Sequence, residues 1–171
     1  MDEAEWNISR STPGARFDAP PPAPASATAP SPSPKPAAAP AWPTPSPEIE
    51  DFVARVVKDP EQPVVLFALE WCEFCWALRK LFAASGIAYR AVDLDSTTYQ
   101  REDRGGQIRA VLRGMTGSIT IPQVFVDGEY IGGCSETMEA FAAGRLRKYQ
   151  TKALDGEMDP KRFLPGWIHA R

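Results

Sequence analysis

Two cysteines separated by two residues, in the stretch Trp71-Cys72-Glu73-Phe74-Cys75, are the residues of this chain best suited to covalent chemistry. They follow an apolar run, Val64-Val65-Leu66-Phe67-Ala68-Leu69, that reads as a buried strand, and they open a run that reads as a helix. A thiol at such a strand-to-helix turn faces unpaired backbone N–H groups and the positive end of the helix dipole, which favour the thiolate. The thiolate is the nucleophile of disulfide exchange, and a second thiol one turn on can attack the mixed disulfide that the first one forms. The competing readings are half of a zinc site and a pair of inert core thiols. Zinc takes three or four protein ligands, and the remaining candidates are one further cysteine, Cys134, and a single histidine, His169. No metal site is expected.

The turn must be held by the elements on either side of it. Ser46-Pro47 makes an N-cap and first-turn pair. Ile49, Phe52, Val53, Val56 and Val57 then recur on one helical face until Asp59-Pro60. The strand at 63–69 and the CxxC follow. Phe74, Leu78, Leu81 and Phe82 form the apolar stripe of the next helix, which Gly86 ends. Residues 88–94 read as a second strand, parallel to the first because a helix connects them. Residues 95–107 are polar, contain Gly105-Gly106 and read as a loop. Ile108, Val111, Leu112 and Met115 mark a third helix, closed by Gly117. Strands at 123–126 and 129–131 flank Asp127-Gly128, a hairpin turn. A last helix is expected over 135–149, with Met138, Phe141, Ala142 and Leu146 facing inward. The predicted order is α-β-α-β-α-β-β-α.

Composition limits the remaining choices. The chain has 171 residues and a net charge of −3, and residues 11 to about 47 hold most of its 18 prolines. A tract of proline, alanine and serine brings little surface to bury and reads as a disordered or extended spacer. The predicted organisation is therefore a Pro/Ala-rich arm over 1–47, a folded domain over 48–150 and a short extension over 151–171. Residues 1–10, with Trp6, read either as a docking peptide or as a free tip. Mixed charges without a long basic run argue against nucleic acid, and no apolar run approaches membrane-spanning length. Three cysteines, two of them in one CxxC, make no framework of secreted disulfides. An acidic start without an apolar core argues against an import signal. A reducing, cytoplasmic compartment is expected. The apolar run Phe163-Leu164-Pro165-Gly166-Trp167-Ile168 is expected to pack back on the domain.

Several blocks together resemble the glutaredoxin family, over about residues 48–150. They are Cys72-Glu73-Phe74-Cys75, Thr116-Gly117, Thr120-Ile121-Pro122-Gln123-Val124-Phe125-Val126, and Gly128 through Gly132-Gly133-Cys134-Ser135. The resemblance implies an α/β, thioredoxin-like fold: a four-stranded mixed sheet flanked by helices. It implies Cys72 as nucleophile, Cys75 as resolving thiol and glutathione as cosubstrate. Pro122 would be a cis-proline that leaves the backbone of Ile121 free to pair with glutathione as an extended peptide. Gly132 and Gly133 would let the γ-glutamyl end approach the backbone beside Cys134. Ser135, at the start of the last helix, would meet the γ-glutamyl carboxylate, and Glu136 its ammonium. Arg109 would hold the glycyl carboxylate as a bidentate fork.

Each assignment has a plainer counterpart. Arg109 also reads as a solvated helix-face charge, Ser135 and Glu136 as caps, Cys134 as a spectator thiol, and Trp71 and Trp76 as packing residues. The chain departs from the family at Leu69, where many members carry lysine. Glu70 and Glu73 add negative charge around the thiol, which opposes the thiolate and could select basic partners. The implied activity is glutathione-dependent reduction of protein–glutathione mixed disulfides and protein disulfides, by a monomer. The alternatives are a glutathione-ligated 2Fe–2S cluster carrier, which the charge of Glu73 disfavours, and a redox module dedicated to one docked partner.

Overall fold

The computed structural model describes residues 41–153 and 158–169. The expectations for the arm up to residue 40 and for Trp6 lie outside the described residues. Helix α1 (Pro47–Val57) begins where Ser46-Pro47 directs, with the Ser46 hydroxyl accepting the Ile49 N–H at 3.4 Å. Strand β1 (Val64–Ala68), α2 (Glu73–Ser85) and β2 (Arg90–Asp93) form the first crossover unit. A one-turn helix, α3 (Thr97–Gln100), leads through a 3-10 turn to α4 (Arg104–Thr116). The hairpin β3 (Gln123–Val126) and β4 (Glu129–Gly132) turns on Asp127 and Gly128, both at positive φ, and α5 (Cys134–Ala142) follows.

The sheet order is β2-β1-β3-β4. β1 runs parallel to β2 and antiparallel to β3, which pairs antiparallel with β4. This is the four-stranded mixed sheet of a thioredoxin-like fold. Alternation in β1 divides the core in two. Val64, Leu66 and Ala68 face α2 and α5, while Val65 and Phe67 face α1 and α4. Helices thus cover both faces, which is why every residue of β1 is buried. Among the described residues, no helix is long and apolar enough to cross a membrane.

Three local expectations need correction. Gly105 and Gly106 are not in a loop but in the first turn of α4, capped by Asp103, whose carboxylate accepts the Gly106 N–H at 3.3 Å. A Cβ on Gly105 would lie 2.1 Å from the Leu94 carbonyl oxygen, so glycine lets the helix start against the end of β2. Met115 is 50% exposed, because Arg113, Gly114 and Met115 are exposed in succession and the last turn of α4 leaves the packed face. The last helix ends at Ala142, which is exposed. Gly144 turns the chain at φ +76°, and Leu146 reaches the core from the following turn.

The C-terminal segment straps α2. Thr151 and Lys152 take over its C-terminal carbonyls: Thr151 Oγ1 donates to Gly86 O at 2.6 Å and Lys152 Nζ to Ala83 O at 2.8 Å. Met158, Phe163 and Leu164 pack on the core between α2 and α5. A 3-10 turn at Pro160–Phe163 and the short helix α6 (Gly166–His169) bring Trp167 to the opposite, N-terminal end of α2.

Candidate active site

Cys72 is the N-cap of α2, in extended backbone (φ −118°, ψ 116°), and its carbonyl accepts the Trp76 N–H at 3.0 Å. Its side chain therefore lies at the mouth of the helix N-terminus, half-buried, where the first N–H groups of α2 stand unpaired. Cys75, one turn on, is fully buried. Its thiol is pushed up to about 12, first by burial and then by donating a hydrogen bond to Cys72 and by the charge there, while the Leu69 backbone and Arg79 pull the other way. Such a thiol stays protonated at neutral pH and solvates its neighbour. All three cysteines are free.

The turn is held from both sides. The Glu70 N–H donates to Asp95 Oδ1 at 2.8 Å, and Trp76 Nε1 donates to Glu70 O at 2.6 Å. Arg79 pairs with Asp93 at the end of β2. The Trp167 indole N–H donates to Glu73 Oε2 at 2.7 Å, and its ring stands edge-on to Phe74, with centroids 6.1 Å apart.

The other residues singled out from the sequence assemble around this turn. The Ile121–Pro122 bond is cis, and Ile121 packs in the same cluster as Cys72 and Cys75. Gly133 lies against Pro122, whose carbonyl oxygen would be 3.4 Å from an added Cβ. Gly132, at φ +135°, has no room for a side chain: a Cβ there would meet the Glu136 side chain at 2.4 Å. Cys134 is buried, and its thiol is raised to about 11 by burial first and then by the charges of Cys72 and Glu136. Arg109 donates to Ile119 O at 3.3 Å, two residues before Ile121. Arg109 is thus tied to the cis-proline loop, which meets Gly133 and packs in the same core cluster as the two redox thiols.

Several of these residues also have structural duties. The Glu136 carboxylate accepts the Gly133 N–H at 3.0 Å, which is a cap of α5. Ser135 is exposed in the first turn of that helix. Trp71 and Trp76 are exposed, so neither is a core residue. Trp42 lies over both Arg109 and Arg113, 5.9 and 5.3 Å from its ring centre, and Arg109 Nε is buried without a partner. The segment just before α1 therefore covers the Arg109 side of the site, nearer to the domain than a free spacer reaching residue 47 would bring it.

Two residues of the site were missed in the sequence. Buried Gln123 donates to both Ser118 O and Thr120 O at 3.1 Å and accepts from Thr116 Oγ1 at 3.2 Å. It thereby fixes the loop that carries Ile121 and Pro122. A lone glutamine inside an apolar strand was the available signal, because burying it costs free energy unless both ends of its amide are bonded. Trp167 carries no such signal, because its neighbours in the sequence indicate only an apolar tail.

The glutaredoxin family model matches residues 64–131. Over 91 residues the chain is 35% identical to Glutaredoxin-C6 of Oryza sativa subsp. japonica, covering 53% of this chain and 77% of that protein. The chain belongs to the glutaredoxin family. It is also 35% identical over 98 residues to Monothiol glutaredoxin-S10 of the same plant, covering 57% of this glutaredoxin and 56% of that relative. In structure it is similar to the buckwheat glutaredoxin–glutathione complex, with a TM-score of 0.52 and 32% identity over 63% of this chain and 94% of that one. The family carries out thiol–disulfide oxidoreduction, and the pair of one half-buried and one buried thiol at the start of α2 is suited to it.

The same geometry bears on cluster binding. Among the described residues no group of three or more His, Cys, Asp or Glu side chains could hold a metal ion. One protomer of this glutaredoxin offers one half-exposed thiol, with Glu73 held next to it. A 2Fe–2S cluster takes four ligands, so that donor would have to be joined by glutathione thiolates and the first cysteine of a second protomer.

Proposed function

We propose that this glutaredoxin is a glutathione-dependent thiol–disulfide oxidoreductase acting on protein–glutathione mixed disulfides and on protein disulfides, as a monomer in a reducing, cytoplasmic compartment. The observation that carries the reading is the asymmetry of the thiol pair. Cys72 is open at the helix mouth, and Cys75 is buried, protonated and hydrogen-bonded to it. The contact chain from Arg109 through the cis-proline loop to Gly133 supports glutathione as the partner, and so does the likeness to a glutaredoxin solved as a glutathione complex.

In the first step the Cys72 thiolate attacks the glutathione sulfur of a protein–S–S–glutathione bond. A Cys72–glutathione disulfide forms, and the protein thiolate leaves and takes up a proton. A second glutathione thiolate then attacks the glutathione sulfur, releasing glutathione disulfide and restoring the Cys72 thiolate. In the dithiol route Cys75 loses its proton, attacks the Cys72 sulfur and expels the bound thiolate, leaving a Cys72–Cys75 disulfide for two glutathiones to reduce. The structure supplies a reason for the order of events. Once Cys72 is in a disulfide its charge is gone, and two of the causes that keep Cys75 protonated disappear with it. Burial remains and still favours the protonated thiol.

Within the site, the Ile121 backbone would pair with glutathione, Arg109 would take its glycyl carboxylate, and Gly133, Cys134 and the start of α5 at Ser135 would receive the γ-glutamyl end. Glu136 is shared between its cap and the ammonium.

The test is reduction of a glutathionylated peptide, coupled to glutathione reductase. Cys72→Ser should abolish turnover. Cys75→Ser should keep activity on the glutathionylated peptide and lose reduction of an intramolecular protein disulfide. An active Cys72→Ser protein would overturn the assignment.

A further inference from the structure

Three tryptophans stand around the redox turn in exposed positions: Trp71 is 84% exposed, Trp76 44% and Trp167 57%. Exposed apolar residues scattered singly need no explanation, but gathered beside a reactive thiol they form a patch of the kind that binds a partner. The Trp71 and Trp76 rings lie 6.3 Å apart. Glu73 and Trp76 are three residues apart on α2 and so share a face. Trp167 joins the strip from the far end of the chain through its bond to Glu73. Trp167, Glu73, Trp76 and Trp71 thus form a continuous strip along the redox turn.

The charge of this strip is one-sided. Glu70 and Glu73 are exposed in it, and Asp95 lies beneath it, accepting the Glu70 N–H. The sequence has no cation between Leu69 and Leu78; Arg79 is committed to Asp93, and exposed Lys80 lies one turn beyond Trp76 on α2. Indole faces flanked by carboxylates are suited to a guanidinium or ammonium group: the alkyl stem lies on the ring, and the charge meets the ring face and the acid. None of these residues belongs to the set proposed for glutathione.

We infer that the strip is a docking surface for polypeptides that carry Lys or Arg beside the cysteine to be reduced. The inference rests on the oxidoreductase reading above and adds its substrate class. The strap has a role in it, because it delivers Trp167 and fixes the Glu73 carboxylate at the edge of the strip.

The experiment uses the full chain and three glutathionylated heptapeptides, whose residues flanking the cysteine are Lys/Arg, Gln/Ser or Glu/Asp. Each rate is normalised to the rate on the small mixed disulfide of glutathione and 2-mercaptoethanol. At low salt the basic peptide should be reduced about tenfold or more faster than the acidic one in kcat/KM, and the ratio should collapse at about 1 M salt, where the Debye length falls to roughly 3 Å. Trp71→Ala, Glu73→Gln and Trp167→Phe should each shrink the basic-to-acidic ratio. Equal rates for the three peptides, with full activity on the small disulfide, would overturn the docking inference and leave the activity standing. No activity on the small disulfide would overturn both. Concentration-dependent dimerisation of the reduced protein, abolished by Trp71→Ala, would assign the strip to a second copy and overturn the inference.

Discussion

Helix α4 contains three glycines, and substitution of two of them, Gly105 and Gly114, by alanine should act in opposite directions. Gly105 is buried in the first turn, and a Cβ built on it lies 2.1 Å from the Leu94 carbonyl oxygen and 3.1 Å from the carbonyl carbon. Carbon–oxygen contacts settle at about 3.3 Å or more, so the helix start would have to move by about 1 Å. Both sides of the clash are backbone, and no side chain can swing away. Overpacking of this kind costs about 1–3 kcal/mol, and Gly105→Ala should fall in the upper half of that range, near 2 kcal/mol. Gly114, on the exposed side of the last turn, has nothing within 4 Å of its added Cβ. Gly114→Ala should therefore only restrict the unfolded chain and favour the helix, a gain of about 0.5–1 kcal/mol.

For a domain of this size 1 kcal/mol moves Tm by about 4 °C. Gly105→Ala should melt roughly 8 °C below the wild type and Gly114→Ala about 2–4 °C above it, by thermal and urea unfolding. The pair also reports on function. Arg109 lies one turn beyond Gly105 and is tied to Ile119 O at 3.3 Å. A displaced α4 should raise KM for a glutathionylated substrate in Gly105→Ala with little change in kcat, while Gly114→Ala keeps the wild-type KM. A Gly105→Ala protein with wild-type Tm and KM would refute the packing argument and the link from the helix start to Arg109.

Two further outcomes follow from burial. The thiols of Cys75 and Cys134 are held up to about 12 and about 11, against an ordinary 9.0, so the folded chain keeps protons that the unfolded chain loses. Their contribution is intact below pH about 9 and is lost as the pH rises toward 11–12, since stability falls with pH wherever the native state binds more protons. Cys134→Ala should show a shallower loss of unfolding free energy between pH 9 and 11 than the wild type, and parallel curves would contradict this. In the strap, Phe163 is half-buried between α2 and α5. Phe163→Ala should cost about 1.5–2.5 kcal/mol, roughly half the value for a fully buried ring, and should redden and weaken Trp167 emission as the indole leaves Glu73 and Phe74. Unchanged stability and emission would mean that the strap does not bind α2 in solution.

The legible parts of this protein were those whose cause is local. Cys72 and Cys75 declare themselves by spacing at a strand-to-helix turn, Asp127-Gly128 by the positive φ that the hairpin needs, and Ser46-Pro47 by the first turn that it caps. Gly105-Gly106 was misread because a glycine doublet has two causes, conformational freedom and close approach, and only the position of Leu94 distinguishes them. Met115 and Ala142 keep the period of their helices but lie at the ends, where a helix runs past the surface it packs on; periodicity contains no record of where that surface stops. Gly144 did carry a signal for the early end of α5, as a left-handed residue after the last apolar position. Trp167 and Glu73 are 94 residues apart, and nothing in either segment indicates the other.

That long-range contact links the extension to the chemistry. The family match ends at residue 131, and the strap lies wholly beyond it. It grips α2 by the carbonyls of Ala83 and Gly86 at one end and by Glu73 and Phe74 at the other, with apolar anchors between. The helix whose N-terminus holds the reactive thiol is thus secured at both ends by residues that the matched region does not contain. A carboxylate next to a thiolate would ordinarily be free to rotate toward it or into water. Here the indole N–H of Trp167 gives that carboxylate a fixed partner at 2.7 Å. The bond holds the negative charge at the edge of the exposed indoles, where an approaching basic chain would meet it, so the extension that secures α2 also orients the acidic residue inside the CxxC.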